Sequence, residues 1–239
     1  MPLQYSVVVP LKNEEGNIID LVSELETVMN ALASPWELIC IDDGSTDNTL
    51  NILKNLAKEK RFLKIISFTK NFGQSSAFDA GFKASQGEFV ITLDGDRQND
   101  PRDIPKLLAL MAEGCDLACG WRVNRQDSLS KKLTSKLANS LRSRICQDGV
   151  KDTGCSLKVY RKSSLMQIKM YQGMHRFLPA LFNIEGFVVK EIPVNHRPRT
   201  KGTTKYNFFN RSFNTIADMF AVRWMRKRHL QYCLKKDVS

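Results

Sequence analysis

The sequence of 239 residues lacks any stretch that could cross a bilayer. No run approaches the ~20 consecutive apolar residues that a membrane-spanning helix needs. Its first residues also lack the basic segment followed by an apolar run that marks a secretory signal peptide. These absences argue against an integral membrane protein, and we expect a cytoplasmic one.

The spacing of the cysteines also gives no sign of disulfide bonds or of a metal site. The six cysteines show no CxxC spacing, and the chain is too long for a small disulfide-stapled frame. Cys40 and Cys119 lie in apolar runs, which is typical of buried thiols in a reducing compartment. A chain of this length can bury a real core as one α/β domain.

Acidic residues are scarce at one end of the chain. After His196 there are eleven basic and only two acidic side chains, so nine of the eleven net positive charges lie there. Such a segment meets something anionic, which could be nucleic acid, a lipid surface or a phosphorylated substrate.

Apolar runs that predict strands alternate with amphipathic stretches that predict helices. The expected strands are 5–10, 36–41, 63–68, 89–93, 117–120 and 186–194, with one more ending near Tyr160. The expected helices are 48–59, 75–84, 104–111, 129–145 and 208–228, and one beginning at Ile18 with Asn17 as its cap. Four strand–helix alternations with short connections favour right-handed crossovers and a mostly parallel sheet.

Two carboxylates follow the strand at 89–93 directly, separated by one glycine: Asp94-Gly95-Asp96. Like charges at the end of a buried strand repel, and a hard divalent cation such as Mg²⁺ or Mn²⁺ would resolve this repulsion. Gln98 adds a neutral oxygen on the same loop, and Gly95 leaves room for a phosphate or ribose. The alternative is an ordinary solvated turn, in which Asp-Gly is common.

Polar clusters follow two other strands in the same way. Asn13 and Glu14 come after the first strand, and Asp42 and Asp43 end the second. Ligands of parallel α/β sheets bind beyond the carboxyl ends of the strands. Three clusters converging on that edge therefore predict a binding site.

Taken in order, these motifs resemble the inverting family 2 glycosyltransferases, and within them the dolichyl-phosphate mannose synthase branch that includes polyprenyl-phosphate sugar transferases. The similarity covers about residues 5–206. Further stretches that resemble the branch are 71–81, 120–122, 152–155 and 199–206. The resemblance implies a GT-A fold, a nucleotide-binding α/β sandwich with a mostly parallel central sheet, followed by a basic amphipathic helix and tail at 207–239.

The resemblance also implies roles for individual residues. Asp94, Gly95 and Asp96 would hold a nucleotide-diphosphate sugar, with Asp94, Asp96 and Gln98 around Mg²⁺ or Mn²⁺. The residues implied in the base and ribose pocket are Pro10, Lys12, Glu14 and Asp42. Those implied in contacts with phosphates of the donor or acceptor are Arg122, Arg199 and Lys205. Planar guanidinium groups suit such phosphate contacts.

The acceptor decides whether a catalytic base is needed. A hydroxyl acceptor must be deprotonated, and Asp152 is the candidate base. A lipid phosphate of the polyprenyl or dolichyl type is already an anion and needs orientation instead. Asp152 could equally cap the turn before the strand that follows it.

The carboxyl-terminal part departs from the branch. Many relatives continue into transmembrane helices after the loop at 199–206, whereas 208–228 combines an apolar face with a basic end, as in an interfacial helix. The alternative is a helix packed on the domain. Phe220-Ala221-Val222-Arg223-Trp224 resembles the QxxRW signature of processive synthases, but Phe220 replaces the glutamine.

We therefore expect a metal-dependent hexosyltransferase that works peripherally at the cytoplasmic face of a membrane. Its donor would be a GDP- or UDP-sugar and its acceptor a lipid phosphate. A membrane protein could be a partner of the basic end. The competing interpretations are transfer to a hydroxyl, a sugar-nucleotide sensor and a nucleic-acid-binding protein. We expect no nucleic-acid partner, since no RNA- or DNA-binding motif is present.

Overall fold

The computed structural model describes residues 2–123, 142–198, 208–230 and 232, with 208–214 by backbone alone. Seven strands form one sheet in the order β3-β2-β1-β4-β6-β5-β7. The strands are β1 (Tyr5–Leu11), β2 (Trp36–Asp42), β3 (Leu63–Ser67), β4 (Phe89–Thr92), β5 (Leu117–Arg122), β6 (Lys158–Arg161) and β7 (Val189–Val194).

Helices lie on both faces of this sheet. They are α1 (Ile18–Ala31), α2 (Thr49–Glu59), α3 (Gln74–Ala84), α4 (Ile104–Ala112), α5 (Lys162–Leu165), α6 (Leu178–Ile184) and α7 (Phe208–Arg228). Residues 142–146 are also helical, and short 3₁₀ turns occupy Pro101–Asp103 and Met174–Arg176. The rest of the helix expected at 129–145 lies outside the described residues.

The mostly parallel sheet predicted from the alternation is confirmed. Strands β1 to β4 pair in parallel, as do β5 and β7, while β6 runs antiparallel between β4 and β5. The carboxyl ends of β1, β2 and β4 therefore meet at one edge, as expected.

Two hydrophobic cores follow from the alternation of side chains across the sheet. Val7, Val9 and Cys40 face α1, α2 and α4, whereas Val8 and Ile41 face α3 and α6. Helix α3 approaches β1 closely at Gly81, which has no side chain. A Cβ there would lie 2.4 Å from Val8 Cγ1. A glycine at this position therefore permits close packing of α3 on the sheet.

The predicted cap of α1 is wrong, and the predicted start of α2 is displaced by one residue. Asn17 makes no capping hydrogen bond with α1; its Nδ2 donates instead to Glu14 Oε2 at 2.7 Å. Helix α2 begins one residue later than predicted, and Asp47 Oδ1 accepts the N–H of Thr49 at 3.0 Å. In both places the hydrogen bond is made by an acidic side chain of a loop at the strand edge: Glu14 accepts from Asn17, and Asp47 accepts from Thr49.

The terminal helix packs on the domain with one face. Met219 and Val222 are buried against Met174, Phe177 and other residues of the segment around α6. Its opposite face exposes Ile216, Phe220 and Trp224. No described helix is long and apolar enough to cross a membrane.

Candidate active site

Two acidic residues of the loop after β4 lie close together. Asp96 is buried, and its Oδ1 accepts the backbone N–H of Gln98 at 3.1 Å. Burial and the charge of Asp96 both raise the pKa of Asp94. The repulsion predicted from the sequence is thus present in the fold, and a bound cation would relieve it.

Basic and polar groups partly offset this charge. The Ser156 hydroxyl, the Lys158 ammonium and the Arg122 guanidinium all act to lower the pKa of Asp94. Gln74, at the start of α3, donates from Nε2 to Asp94 Oδ1 at 2.8 Å. Asp94 is therefore oriented by a neighbouring helix and stabilised by positive charge.

The two carboxylates are a partial set of metal ligands. Across the described residues, no three acidic, histidine or cysteine side chains converge as a ready-made metal-binding group. Mg²⁺ is usually held by one or two carboxylates together with substrate phosphates and water. Asp94 and Asp96 fit that chemistry, because they supply two carboxylates and leave the remaining ligand positions to a diphosphate and water.

Gly95 lies against the end of β1. A Cβ there would lie 2.4 Å from Leu11 Cδ2, so the glycine lets residues 94–98, called here the acid loop, lie against the end of β1. Close packing on β1 is therefore one reason for a glycine at this position, and the approach of a phosphate or ribose stays a prediction.

The second acid pair is held by the chain around it. Asp42 accepts from the Ser45 N–H and the Ser67 hydroxyl, both at 3.1 Å. Asp43 accepts the N–H groups of Phe72 and Gly73 at 2.6 and 2.9 Å. Asp43 thus fixes the turn that leads into α3 and places Gln74 beside Asp94.

The loop after β1 is attached to the loop after β2. Lys12 Nζ donates to the Gly44 carbonyl, and the Glu14 N–H donates to Thr49 Oγ1 at 2.8 Å. Pro10 is paired in register with Ile41 on the neighbouring strand. The four residues that the resemblance placed in the nucleoside pocket lie at this edge: Pro10, Lys12, Glu14 and Asp42.

Arg122 and Asp152 form a two-pronged ion pair. Arg122 Nε lies 2.7 Å from Asp152 Oδ2, and its Nη2 lies 2.9 Å from Oδ1. Burial lowers the pKa of Arg122, but Asp152 outweighs it and leaves the pKa above its usual range. Gly154 adjoins the pair, since a Cβ there would lie 3.0 Å from Arg122 Nη2.

Sequence reasoning missed several residues at this edge. Lys158 is buried and donates to the carbonyls of Thr153 and Cys155, which ties the loop carrying Asp152 to β6. A lysine within an apolar run was the available signal. His196 lies beside Gln98, with 3.5 Å between the two Nε2 atoms. The contact of Gln74 with Asp94 was also not predicted, although Gln74 lies in the stretch 71–81 that resembles the branch.

Two predicted site residues, Arg199 and Lys205, lie outside the described residues. The chain that leads to them is fixed at the site. The Asn195 N–H donates to Asp103 Oδ2 at 2.6 Å, and the Arg197 N–H donates to the Gln98 carbonyl at 2.9 Å.

Solved structures share this fold. Glucosyl-3-phosphoglycerate synthase from Mycobacterium tuberculosis, in complex with Mn²⁺, UDP-glucose and phosphoglyceric acid, superposes with a TM-score of 0.73. It is 18% identical, and the match covers 93% of this chain and 80% of that one. The S. aureus TarS fragment 1–349 has a TM-score of 0.58 at 22% identity, covering 92% and 65%. The GT-A architecture is confirmed.

Curated relatives are more similar in sequence. The dodecaprenyl-phosphate galacturonate synthase of Rhizobium johnstonii is 41% identical over 232 residues, covering 94% of this chain and 68% of the relative. An undecaprenyl-phosphate 4-deoxy-4-formamido-L-arabinose transferase of Salmonella choleraesuis is 37% identical, covering 90% and 65%. The chain thus spans about two thirds of the length of these relatives.

The family model "Glycosyl transferase family 2" matches residues 6–169, which include the polar clusters after β1, β2 and β4 and the Arg122–Asp152 pair. Together with the curated relatives, this match establishes that the chain belongs to the family 2 glycosyltransferases, in the branch of polyprenyl-phosphate sugar transferases.

Proposed function

We propose that the protein transfers one sugar from a nucleoside diphosphate donor to a polyprenyl phosphate, with inversion and with a divalent metal. The observation that carries this proposal is the Asp94–Asp96 pair at the carboxyl end of β4, with Arg122 and Lys158 close enough to lower the pKa of Asp94. The names of the curated relatives support the lipid-phosphate acceptor.

The site's charges suit the departure of a nucleoside diphosphate. A bound Mg²⁺ or Mn²⁺ would neutralise the charge that develops on the leaving diphosphate. Asp94, Asp96 and Gln98 would hold that ion, and Gln74 would keep the Asp94 carboxylate in place. The nucleoside would lie along the edge formed by the loops after β1 and β2.

The acceptor phosphate would attack the anomeric carbon from the side opposite the nucleotide, which inverts its configuration. A phosphate monoester is ionised at neutral pH, so this step needs no protein base. Asp152 is bound to Arg122 through both oxygens, which agrees with an acceptor of that kind. Arg199 and Lys205 are proposed to contact donor or acceptor phosphates.

Transfer to a hydroxyl remains the second candidate. It would require Asp152 to leave Arg122 and accept the hydroxyl proton. The observation that favours this candidate is the nearness of the buried Asp152 carboxylate to the site, since its partner Arg122 also acts on the pKa of Asp94.

We also propose that α7 lies on an anionic membrane surface. Its outer face combines Ile216, Phe220 and Trp224 with the exposed cations Arg223, Lys227 and Arg228. The acidic residue of the helix, Asp218, is directed at Gly173 of the domain. Apolar insertion and attraction to anionic lipid therefore act on the same face. A membrane protein that covers the face is the competing occupant.

The test is a turnover assay with matched acceptors. UDP- and GDP-sugars are offered with Mn²⁺ to polyprenyl phosphate and to the corresponding polyprenol. We expect multiple-turnover release of nucleoside diphosphate with the phosphate acceptor and none with the alcohol. Turnover on the alcohol would favour the hydroxyl candidate, and donor binding without turnover would favour a sensor. A screen of donor binding by thermal shift identifies the base and sugar first.

A further inference from the structure

Arg97, which stands between Asp96 and Gln98, has a backbone φ of 61°. That left-handed region is unfavourable for a residue with a side chain, and such strain persists only where the surroundings impose it. The Arg97 side chain reaches helix α1, where Nη1 lies 2.5 Å from Asp20 Oδ2 and Nη2 lies 2.6 Å from Glu24 Oε1. The acid loop is therefore held in a strained turn by α1.

Glu24 also holds a second segment. Its Oε2 lies 2.6 Å from Arg197 Nη1. Arg197 follows β7, donates its backbone N–H to the Gln98 carbonyl at 2.9 Å, and binds Asp100 Oδ1 through Nη2 at 2.6 Å. A single carboxylate thus joins the acid loop to the segment that carries His196.

The charges around Glu24 make this junction stable. Burial raises the pKa of Glu24, but the guanidinium groups of Arg97 and Arg197 outweigh it, so the pKa is lowered and the carboxylate stays ionised. Asp100, the other anion bound by Arg197, likewise has a lowered pKa: burial raises it, and Arg102 and Arg197 outweigh burial. Charge-assisted bonds of this kind are short and directional.

We propose that Glu24 is a positioning residue for the metal-binding loop. Through Arg97 and Arg197 it sets where Asp96, Gln98 and His196 lie relative to one another. The role rests on the proposed function, since it supposes that a metal and a nucleoside diphosphate bind at this loop.

The experiment measures Mn²⁺-dependent binding of UDP and of GDP to the full chain, by calorimetry. Glu24→Gln is compared with Glu26→Gln, a matched control on the same helix whose carboxylate pairs with Lys60 at 2.5 Å. Loss of a group that orients metal ligands typically costs about 10–100-fold in metal affinity. We expect a loss of that size in Glu24→Gln and near-unchanged affinity in Glu26→Gln, with similar melting temperatures for the two metal-free variants.

Arg97 offers a second and independent set of variants. Arg97→Gln removes the charged contacts with Asp20 and Glu24, so we expect it to lower Mn²⁺ affinity to a similar extent as Glu24→Gln. The losses from Glu24→Gln and Arg97→Gln should combine to less than their product, because the residues act in one network. If Glu24→Gln fails to fold, the Mn²⁺ affinity of Arg97→Gln alone decides the question.

Three results would overturn the positioning role alone: equal Mn²⁺ affinity in Glu24→Gln and Glu26→Gln, unchanged Mn²⁺ affinity in Arg97→Gln, or losses from Glu24→Gln and Arg97→Gln that multiply in full. Absence of Mn²⁺-dependent nucleotide binding in the unaltered protein would instead overturn the proposed function, and the positioning role with it.

Discussion

Arg122 and Asp152 face each other with two parallel hydrogen bonds, although thirty positions separate them in the chain. The Arg122 N–H also donates to Asp152 Oδ2, at 3.2 Å. Glu191 on β7 fixes the position of Asp152, because its Oε1 accepts the Asp152 N–H at 3.0 Å. The end of β5 and the loop at 152–155 therefore form one rigid corner of the site.

Replacing Asp152 by Asn should destabilise the fold because it leaves Arg122 buried without its counter-charge. Breaking a buried pair in this way costs about 3–5 kcal/mol of unfolding free energy. Urea denaturation measures the loss. The double variant Asp152→Asn/Arg122→Gln should recover part of it, and full additivity of the two single losses would contradict the pairing.

The same variant separates the two roles of Asp152 in catalysis. If it orients Arg122, Asp152→Asn should retain measurable kcat on polyprenyl phosphate while the KM for donor or acceptor rises. A catalytic base would behave differently: kcat would vanish while both KM values stayed the same. Steady-state kinetics with each substrate varied in turn distinguishes the two results.

Asp96→Ala should abolish sugar transfer and remove the metal dependence of donor binding while the fold stays intact. The reason is its position beside Asp94, where the two carboxylates are proposed to hold the cation. Titration of Mn²⁺ and donor by calorimetry provides the measurement. Glu59→Gln, at the carboxyl end of α2, serves as a control with the same loss of one charge. Unchanged affinity for the Mn²⁺–donor pair in Asp96→Ala would refute the metal assignment.

Arg199→Ala and Lys205→Ala should each weaken phosphate handling, by roughly 1–3 kcal/mol for a charge-assisted contact. The prediction rests on the basic sequence 199–205 and on its resemblance to the phosphate-contacting stretch of the branch. The value of kcat/KM with polyprenyl phosphate is the readout, and Lys235→Ala, far along the chain, controls for the loss of one charge. Wild-type kcat/KM in both Arg199→Ala and Lys205→Ala would remove these residues from the mechanism.

The packing of α7 on the domain limits which of its cations can contact a membrane. Arg226 belongs to the domain side, because its Nη2 donates to the Gln147 carbonyl at 2.8 Å. Arg223, Lys227 and Arg228 are the exposed cations to replace by Gln. Each contributes about 1 kcal/mol near an anionic leaflet, so the triple variant should lose vesicle binding, most clearly at low salt.

Co-sedimentation with anionic vesicles measures this binding, alongside turnover on a short water-soluble acceptor, which should be retained. Phe220→Ser tests the apolar half of the face, since this side chain is 58% exposed. Vesicle binding that survives the triple replacement would assign the basic face to a protein partner.

Glu37 predicts a pH dependence of stability that is independent of the active site. Burial raises its pKa, but Lys64, the Ser6 hydroxyl and the Gln86 N–H outweigh burial and lower it below 4.5. A lowered folded-state pKa means that the stabilisation is present above the unfolded value and is lost as pH falls through the folded value. Wild-type unfolding free energy should fall more steeply than that of Glu37→Gln below about pH 4.5. Parallel slopes in urea denaturation would contradict this.

The sequence by itself determined the order of the strands, of α1 to α4 and of α7, and the edge where the polar clusters meet, whereas α5 and α6 were not predicted. Both depend on local information: the hydrophobic period defines each strand and helix, and parallel strands bring their carboxyl ends together. The terminal helix was found with the bounds Phe208–Arg228, since its apolar spacing is continuous. The motifs at this edge were also sufficient to indicate the family.

Only the tertiary structure decided which side chains meet across long stretches of chain. Gly95 packs on Leu11, Asp152 binds Arg122, and Glu24 joins Arg97 to Arg197. On α7, periodicity defined an apolar face, but the neighbouring segments determined that Met219 is buried while Phe220 is exposed. These contacts depend on which elements the sheet order makes neighbours, and hydrophobic periodicity within one element carries no information about its neighbours.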